Sequence, residues 1–311
     1  MNNTFIPDTL LGHVSFQSVL YNGEKNHDIP FIDDYYFMCG ELTWFLKIRP
    51  FDIDRIISFC QDHRDNNEFL SLFLRYGLIR SPIIAYRLKE LGFYSDEAII
   101  EKLKALQKFK PCFYFYNIIV DFDKFTKGFF PYPPQSISIL KSYEGLKNIF
   151  LYGFTKGSIG YCLKYDDIEA FRELSSSPSF NQNGTLEWGY FEWSKKPYAQ
   201  DYLSVSAYFG SIKVFKSMIV NNNNHSISNA HSAFCGSNME IIHFFESNYQ
   251  PTSQFLKRAI QSSNEALIHW ISPSNDIELL KKTNYHFLKL IIYMNNEGFD
   301  INALTKSYSF S

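Results

Sequence analysis

At 311 residues, 45% of them hydrophobic and 20% charged, the chain has the length and composition of a globular protein of one large or two moderate domains, and it should fold. A net charge of −2 and a pI of about 6.5 leave no basic face for nucleic acid and no polybasic segment for a membrane surface. The 31 Phe and 21 Tyr come with abundant Asn, Ile and Lys, the residues of A/T-rich codons, so the aromatic excess carries little functional weight.

The opening MNNTFIPDTLLGHVSF has no charged region followed by an apolar core, which predicts no signal peptide. No run reaches the roughly 18 apolar residues of a membrane span, so a cytoplasmic address is expected. Cys39, Cys60, Cys112, Cys162 and Cys235 are scattered, odd in number and outside any C-x-x-C pair, which predicts reduced structural thiols.

From Phe31 to His63 the pattern reads helix, loop, helix: FMCGELTWFLKI is apolar at helical spacing, Pro50 stops it, and Asp52 is placed to cap IDRIISFCQDH. Phe69 to Phe93 carries two apolar stripes with a break at Gly77 to Pro82 and Gly92 as the closing residue, a helix hairpin. Ser95 caps EAIIEKLKALQKF, where Ile99, Ile100, Leu103 and Leu106 line one side. Cys112 to Phe125, CFYFYNIIVDFDKF, fits a buried strand or a helix, and its helical neighbours favour the helix. Thr126 to Gln135, rich in Pro and Gly, is the best boundary candidate in the chain.

Beyond it one pattern recurs. In Leu203 to Val220 the apolar positions Leu203 and Ala207, then Val214, Phe215, Met218 and Ile219, flank Gly210, predicting two short helices that meet at a glycine and end at Asn221 to Asn224. Three further stretches align with it without gaps, around Leu163 to Leu174, Phe234 to Phe245 and Ala259 to Trp270. Their turn positions are 166, 210, 237 and 262, spaced by 44, 27 and 25 residues. A unit this short cannot bury its own stripe, so it must stack on its neighbours. The long first spacing holds an insertion, Ser175 to Gln200, with Trp188, Tyr190, Phe191 and Trp193 in its middle.

Asp166-Asp167-Ile168-Glu169-Ala170-Phe171, Gly210-Ser211-Ile212-Lys213-Val214-Phe215 and Asn238-Met239-Glu240-Ile241-Ile242-His243 resemble phrases of ankyrin repeats, and most closely the divergent short ankyrin-like domains of large protist families of uncharacterised function. Gly298-Phe299-Asp300-Ile301-Asn302 is similar to the finger that closes such a repeat. The resemblance covers roughly residues 159 to 302. Asp201-Tyr202-Leu203-Ser204 stands where the consensus opens with Thr-Pro-Leu-His, so the capping hydrogen bonds of that opening do not carry over by residue type. The spacings also fall below the usual period of about 33, leaving little room for protruding fingers.

The resemblance implies an all-α protein: a helical leader or cap over residues 1–148, then over 149–311 a solenoid of degenerate ankyrin-like hairpins. It further implies a non-enzymatic interaction module with no cofactor and no metal, binding a protein partner through its concave helix face. The residues just before each turn are Lys164-Tyr165, Tyr208-Phe209, Cys235-Gly236 and Ile260-Gln261, and in such stacks they face the groove. Tyr208 and Phe209 are either rigid interface anchors or packing against the next repeat. Trp188 and Trp193 of the insertion form either a lid over the first hairpin or an exposed contact patch, the lid being favoured.

The enzymatic alternative rests on Ile118 to Thr126, an apolar run ending in Asp121-Phe122-Asp123, similar to the first motif of magnesium-dependent haloacid-dehalogenase-type phosphatases. Asp166 and Asp167 are its only later carboxylate pair and already have a place as a repeat turn. Cys60-x-x-His63 and His231 with Cys235 are each half of a metal site with no second half at ligand spacing.

Overall fold

In the computed structural model the described residues are 15–16, 19–20, 29–48, 51–119, 143–189, 191–192, 194, 196–221, 225–236, 238–249, 252–261, 267, 270 and 271. Among them all regular structure is helical, and the only β pairing is an isolated bridge between Thr185 and Asp201. The chain divides into two compact units, one of Asp33–Cys162 with Glu187–Lys196, the other of Leu163–Leu186 with Pro197 onward and the residues before Asp33. The Thr126 to Gln135 boundary and the Gly298 to Asn302 finger lie outside the described residues.

The first unit is built from α1 (Tyr35–Ile48), α2 (Ile53–Asp62), α3 (Asn67–Arg80), α4 (Pro82–Glu90), α5 (Asp96–Leu106), α6 (Phe109–Tyr114) and α7 (Tyr143–Tyr152). Three of these helix starts have a local cause in a capping side chain. Asp34 accepts from the Phe37 amide at 2.9 Å, Asn66 from Phe69 at 2.9 Å and Ser95 from Ala98 at 3.2 Å, so orphan N–H groups of three first turns are satisfied. Asp52 departs from expectation: it stands at the cap position of α2 with ψ of 25° and makes no side-chain cap bond.

The break read over Gly77 to Pro82 falls at its far end: α3 runs through Gly77 to Arg80, and the turn is made at Ser81 with Pro82 opening α4. A Cβ on Gly77 would lie 3.1 Å from Ile84 Cγ2 and 3.4 Å from Ala85 Cβ, so the glycine serves the close approach of α4 to α3. Gly92 behaves as read: its φ is +74°, and the Phe93 amide returns to the Leu88 carbonyl at 3.0 Å. Of the ambiguous run after Cys112, the residues to Tyr114 are helical, Tyr116–Ile118 form one 3₁₀ turn, and those from Val120 lie outside the described part.

Packing in this unit joins the neighbours α3 and α4 and also alternate helices: α1 lies on α3 and α3 on α5, while α2 lies on α4 and α4 on α6. Its core gathers Leu78, Tyr86, Ile99, Leu103, Tyr114, Phe115 and Phe150. Phe191, from the middle of the insertion, joins it. Its ring stands edge-on to Phe150 at 4.9 Å and Tyr114 at 5.9 Å, and its carbonyl accepts from Tyr114 Oη at 3.1 Å.

The second unit carries α8 (Ile159–Tyr165, which enters it at Leu163), α9 (Ile168–Ser175), α10 (Tyr202–Phe209), α11 (Ile212–Asn221), α12 (Ile227–Gly236), α13 (Met239–Glu246) and α14 (Ser253–Gln261). The hairpin read from Leu203 to Val220 is α10 and α11, joined at Gly210 with φ of +72°; Asp166 holds the matching left-handed position at φ +56°. Here too hairpin partners pack, α10 on α11 and α12 on α13, and so do alternate helices. α10 lies on α12 and α12 on α14, while α9 lies on α11 and α11 on α13.

Turn residues tie successive hairpins together. Asp166 accepts from the amides of Lys213 at 3.2 Å and Val214 at 3.0 Å, and so caps α11 from the preceding turn. Ser211 Oγ donates to the Leu163 carbonyl at 2.6 Å, and Asn238 Nδ2 donates to the Gly210 carbonyl at 3.0 Å. Gly236 lets α12 touch α10, since a Cβ there would come within 2.2 Å of the Ala207 oxygen.

Candidate interaction face

The last residues of α8, α10 and α12 and the end of α14 bring the sequence-chosen positions onto equivalent places of successive helices. Lys164 is 1% exposed, so its ammonium is a packed group and not an offered one. It lies 5.4 Å from the Tyr165 ring centre and 5.7 Å from that of Phe209, a cation held against two π faces. Tyr208 and Phe209 are half-buried and meet edge-on at 5.1 Å. The Tyr208 backbone lies against Gly236 of the next hairpin, and part of its side chain remains accessible. Ile260 and Gln261 form the last turn of α14.

Trp188 is half-buried and edge-on to Phe154 at 6.0 Å, and Phe154 in turn covers Gly160, where a Cβ would meet its ring at 2.4 Å. Trp188 thus packs toward the first turn of α8. Trp193 lies outside the described residues, as do Asp121 and Asp123.

At the other end of α10 a polar network replaces the consensus opening. Asp201 Oδ1 accepts from the Ser204 amide at 2.9 Å, and Asn229 Nδ2 donates to Asp201 Oδ1 and Ser204 Oγ, each at 2.8 Å. Asn229 Oδ1 accepts in turn from the Ser226 amide at 2.6 Å. The hydrogen bonds that residue type did not promise are therefore made by a different set. A cavity of about 390 Å³ opens beside them, lined by Gln182, Asp201, Tyr202, Met218 and His225 among others.

Groups with catalytic potential are engaged in structure. Asp166 caps α11 and Asp167 caps α9 through the Ala170 amide at 3.1 Å, which occupies the pair that a phosphatase reading would assign to metal. Burial pushes the thiols of Cys39 and Cys112 up to about 12 and that of Cys60 higher still, so none is a thiolate near neutral pH. Among the described residues no three His, Cys, Asp or Glu side chains converge as metal ligands, and no helix is long and apolar enough to cross a membrane.

One cluster was not read from sequence. His231, in the middle of α12, is 4% exposed with its ring between Tyr198 at 5.3 Å and Phe255 at 4.6 Å, and Arg258 lies over Tyr198 at 5.1 Å. The sequence holds only a faint sign of it, a histidine on a helix stripe otherwise made of Ala230, Ala233 and Phe234. Comparison with protein-family models, with curated proteins and with solved structures gives no match for this chain.

Proposed function

We propose that this chain is a non-enzymatic protein-interaction module, in which a helical leader is followed by an ankyrin-like stack of helix hairpins. The partner binds across the ends of the inner helices α8, α10, α12 and α14. The observation that supports this reading best is the packing of inner helix on inner helix, α10 on α12 and α12 on α14, together with the Lys164 ammonium held against the Phe209 ring at the ends of α8 and α10. A row of that kind suits an extended protein surface better than a small molecule. Tyr165, Tyr208 and Phe209 are its anchors, since rings supply large rigid contact area at low entropic cost. Lys164 serves beneath them as support.

The test is capture of partners by the tagged protein from its own cells, beside a Tyr208→Ala/Phe209→Ala variant whose helical circular dichroism matches the parent. For the partner so identified, loss of two aromatic anchors should weaken binding by at least about 30-fold. Undiminished binding by the folded variant would remove this face from the proposal.

A further inference from the structure

The His231 cluster sits between two of the helices on which the stack depends. Nδ1 of His231 is buried with no hydrogen-bond partner, which is costly for a polar group and unusual in a helix interface. Its surroundings are rings and one cation: Tyr198 on one side, Phe255 of α14 on the other, and the Arg258 guanidinium near enough to act on its charge. Phe255 also stacks on Phe234 at 4.4 Å, so the same aromatic contact that encloses His231 fastens α14 to α12. Tyr198, 57% exposed, is the outer cover of the cluster.

Among the described residues the carboxylate brought against α12 is that of Asp201, and it is already engaged by the Ser204 amide and by Asn229 Nδ2. α10, YLSVSAYF, contains no charged residue. On α13, Glu240 pairs with Lys216, and His243 with Glu246 at 2.7 Å. On α12 itself the other titratable group is Cys235, and α14 carries Lys257 besides Arg258. A second proton on the ring would thus place an imidazolium among aromatic rings and beside a guanidinium, which burial and like charge both oppose.

We propose that His231 is a proton-operated latch for α14: with the imidazole neutral α14 stays docked on α12 under Tyr198, and with the imidazole protonated α14 and its cover release. Burial first, and then Arg258, hold the His231 pKa below the ordinary 6.5. The undocked state therefore binds the proton more tightly. Docking is complete above the ordinary value, weakens as the pH falls through it, and stops weakening only below the lowered docked value. Because α14 ends in Ile260 and Gln261, release would also withdraw the last position of the proposed binding face. The latch is read from α14 alone, so it can fail or hold independently of partner binding.

The experiment is amide hydrogen exchange on the full chain at pH 7.5, 6.5, 5.5 and 5.0, with rates divided by the intrinsic rates at each pH and with α3 and α4 as internal references. Protection of residues 253–261 should fall several-fold across this range, by at most about tenfold per pH unit, while α3 and α4 hold. His231→Phe keeps a ring between Tyr198 and Phe255 but cannot titrate, and should abolish the response. Arg258→Gln removes the repulsion and should shrink it. An unchanged pH response in His231→Phe, equal loss in α3 and α4, or constant protection of α14 in the parent would each overturn the latch.

Discussion

Gly236→Ala is the sharpest perturbation of the stack, because its cost follows from backbone geometry alone. The added Cβ would lie 2.2 Å from the Ala207 oxygen, 2.5 Å from the Tyr208 oxygen and 2.8 Å from the Tyr208 carbonyl carbon. Ordinary contact begins at 3.4 Å, a shortfall of about 1.2 Å at the worst atom. All three obstacles are main-chain atoms, so no side chain can swing aside, and α12 must move bodily off α10. Overpacking of this kind costs about 3 kcal/mol. Alanine returns up to about 1 kcal/mol in helix propensity, leaving a net loss near 2 kcal/mol. For a unit of this size that lowers the midpoint of thermal unfolding by about 4–8 °C. Urea titration followed by far-UV circular dichroism measures the loss, and hydrogen exchange in α10 and α12 assigns it to the repeat unit. Gly40→Ala is the control: its nearest neighbour is Arg80 Nη1 at 3.9 Å, and the substitution should be neutral or stabilise by up to about 1 kcal/mol. A Gly236→Ala protein within 0.5 kcal/mol of its parent, a limit set by the usual scatter of harmless substitutions, would refute the close approach of α10 and α12.

Phe191→Ala should destabilise the first unit by about 3–5 kcal/mol, since the ring fills a core with Tyr114 and Phe150; a loss under about 1 kcal/mol in the same titration would show that the insertion is not a core element. Thiol labelling at pH 8 should modify half-exposed Cys235 first and leave Cys39, Cys60 and Cys112 unreacted until urea exposes them, whereas early labelling of Cys60 would contradict its burial. Asp166→Ala should lower exchange protection in α11, whose amides it caps, and Asp167→Ala in α9, each by about 1–2 kcal/mol. Equal losses in both helices from either substitution would mean that the caps are not local.

The helices of both units were legible from apolar periodicity, and so was the turn at Gly210, because α10 and α11 need only a stripe and a left-handed residue to be recognised; Asp166 is left-handed as well, while positions 237 and 262 lie outside the described residues. The break was read as opening at Gly77 for a physical reason: a glycine inside an apolar stripe looks the same whether it ends a helix or admits a neighbour, and only the distance to Ile84 decides. Asp52 was misread because residue type shows capping capacity and not the backbone angle that aims the carboxylate. The first unit showed no recurring pattern in the sequence, yet its alternate helices touch as those of the second do. Lys164 illustrates the limit at the candidate face. Its place before a turn was right, but its burial between Tyr165 and Phe209 depends on a partner 45 positions along the chain, and no local pattern announces it.

The short spacing of the hairpins also explains where their connecting bonds come from. Hairpins 25–27 residues apart have little chain left over for a protruding finger, so the links between them must be made by groups already in the turns. Asn238 reaches back over the 27-residue spacing to the Gly210 carbonyl and still accepts from its own Ile241 amide at 3.3 Å, and Asp166 makes the same kind of link over the 44-residue spacing, reaching forward to the amides that open α11. In both cases one side chain satisfies backbone groups that a lone hairpin would leave to water. A hairpin cut from the stack would lose its apolar neighbour and a helix cap together. Stacking and capping are therefore the same interaction here, and a change at one turn should be felt first in the hairpin beside it.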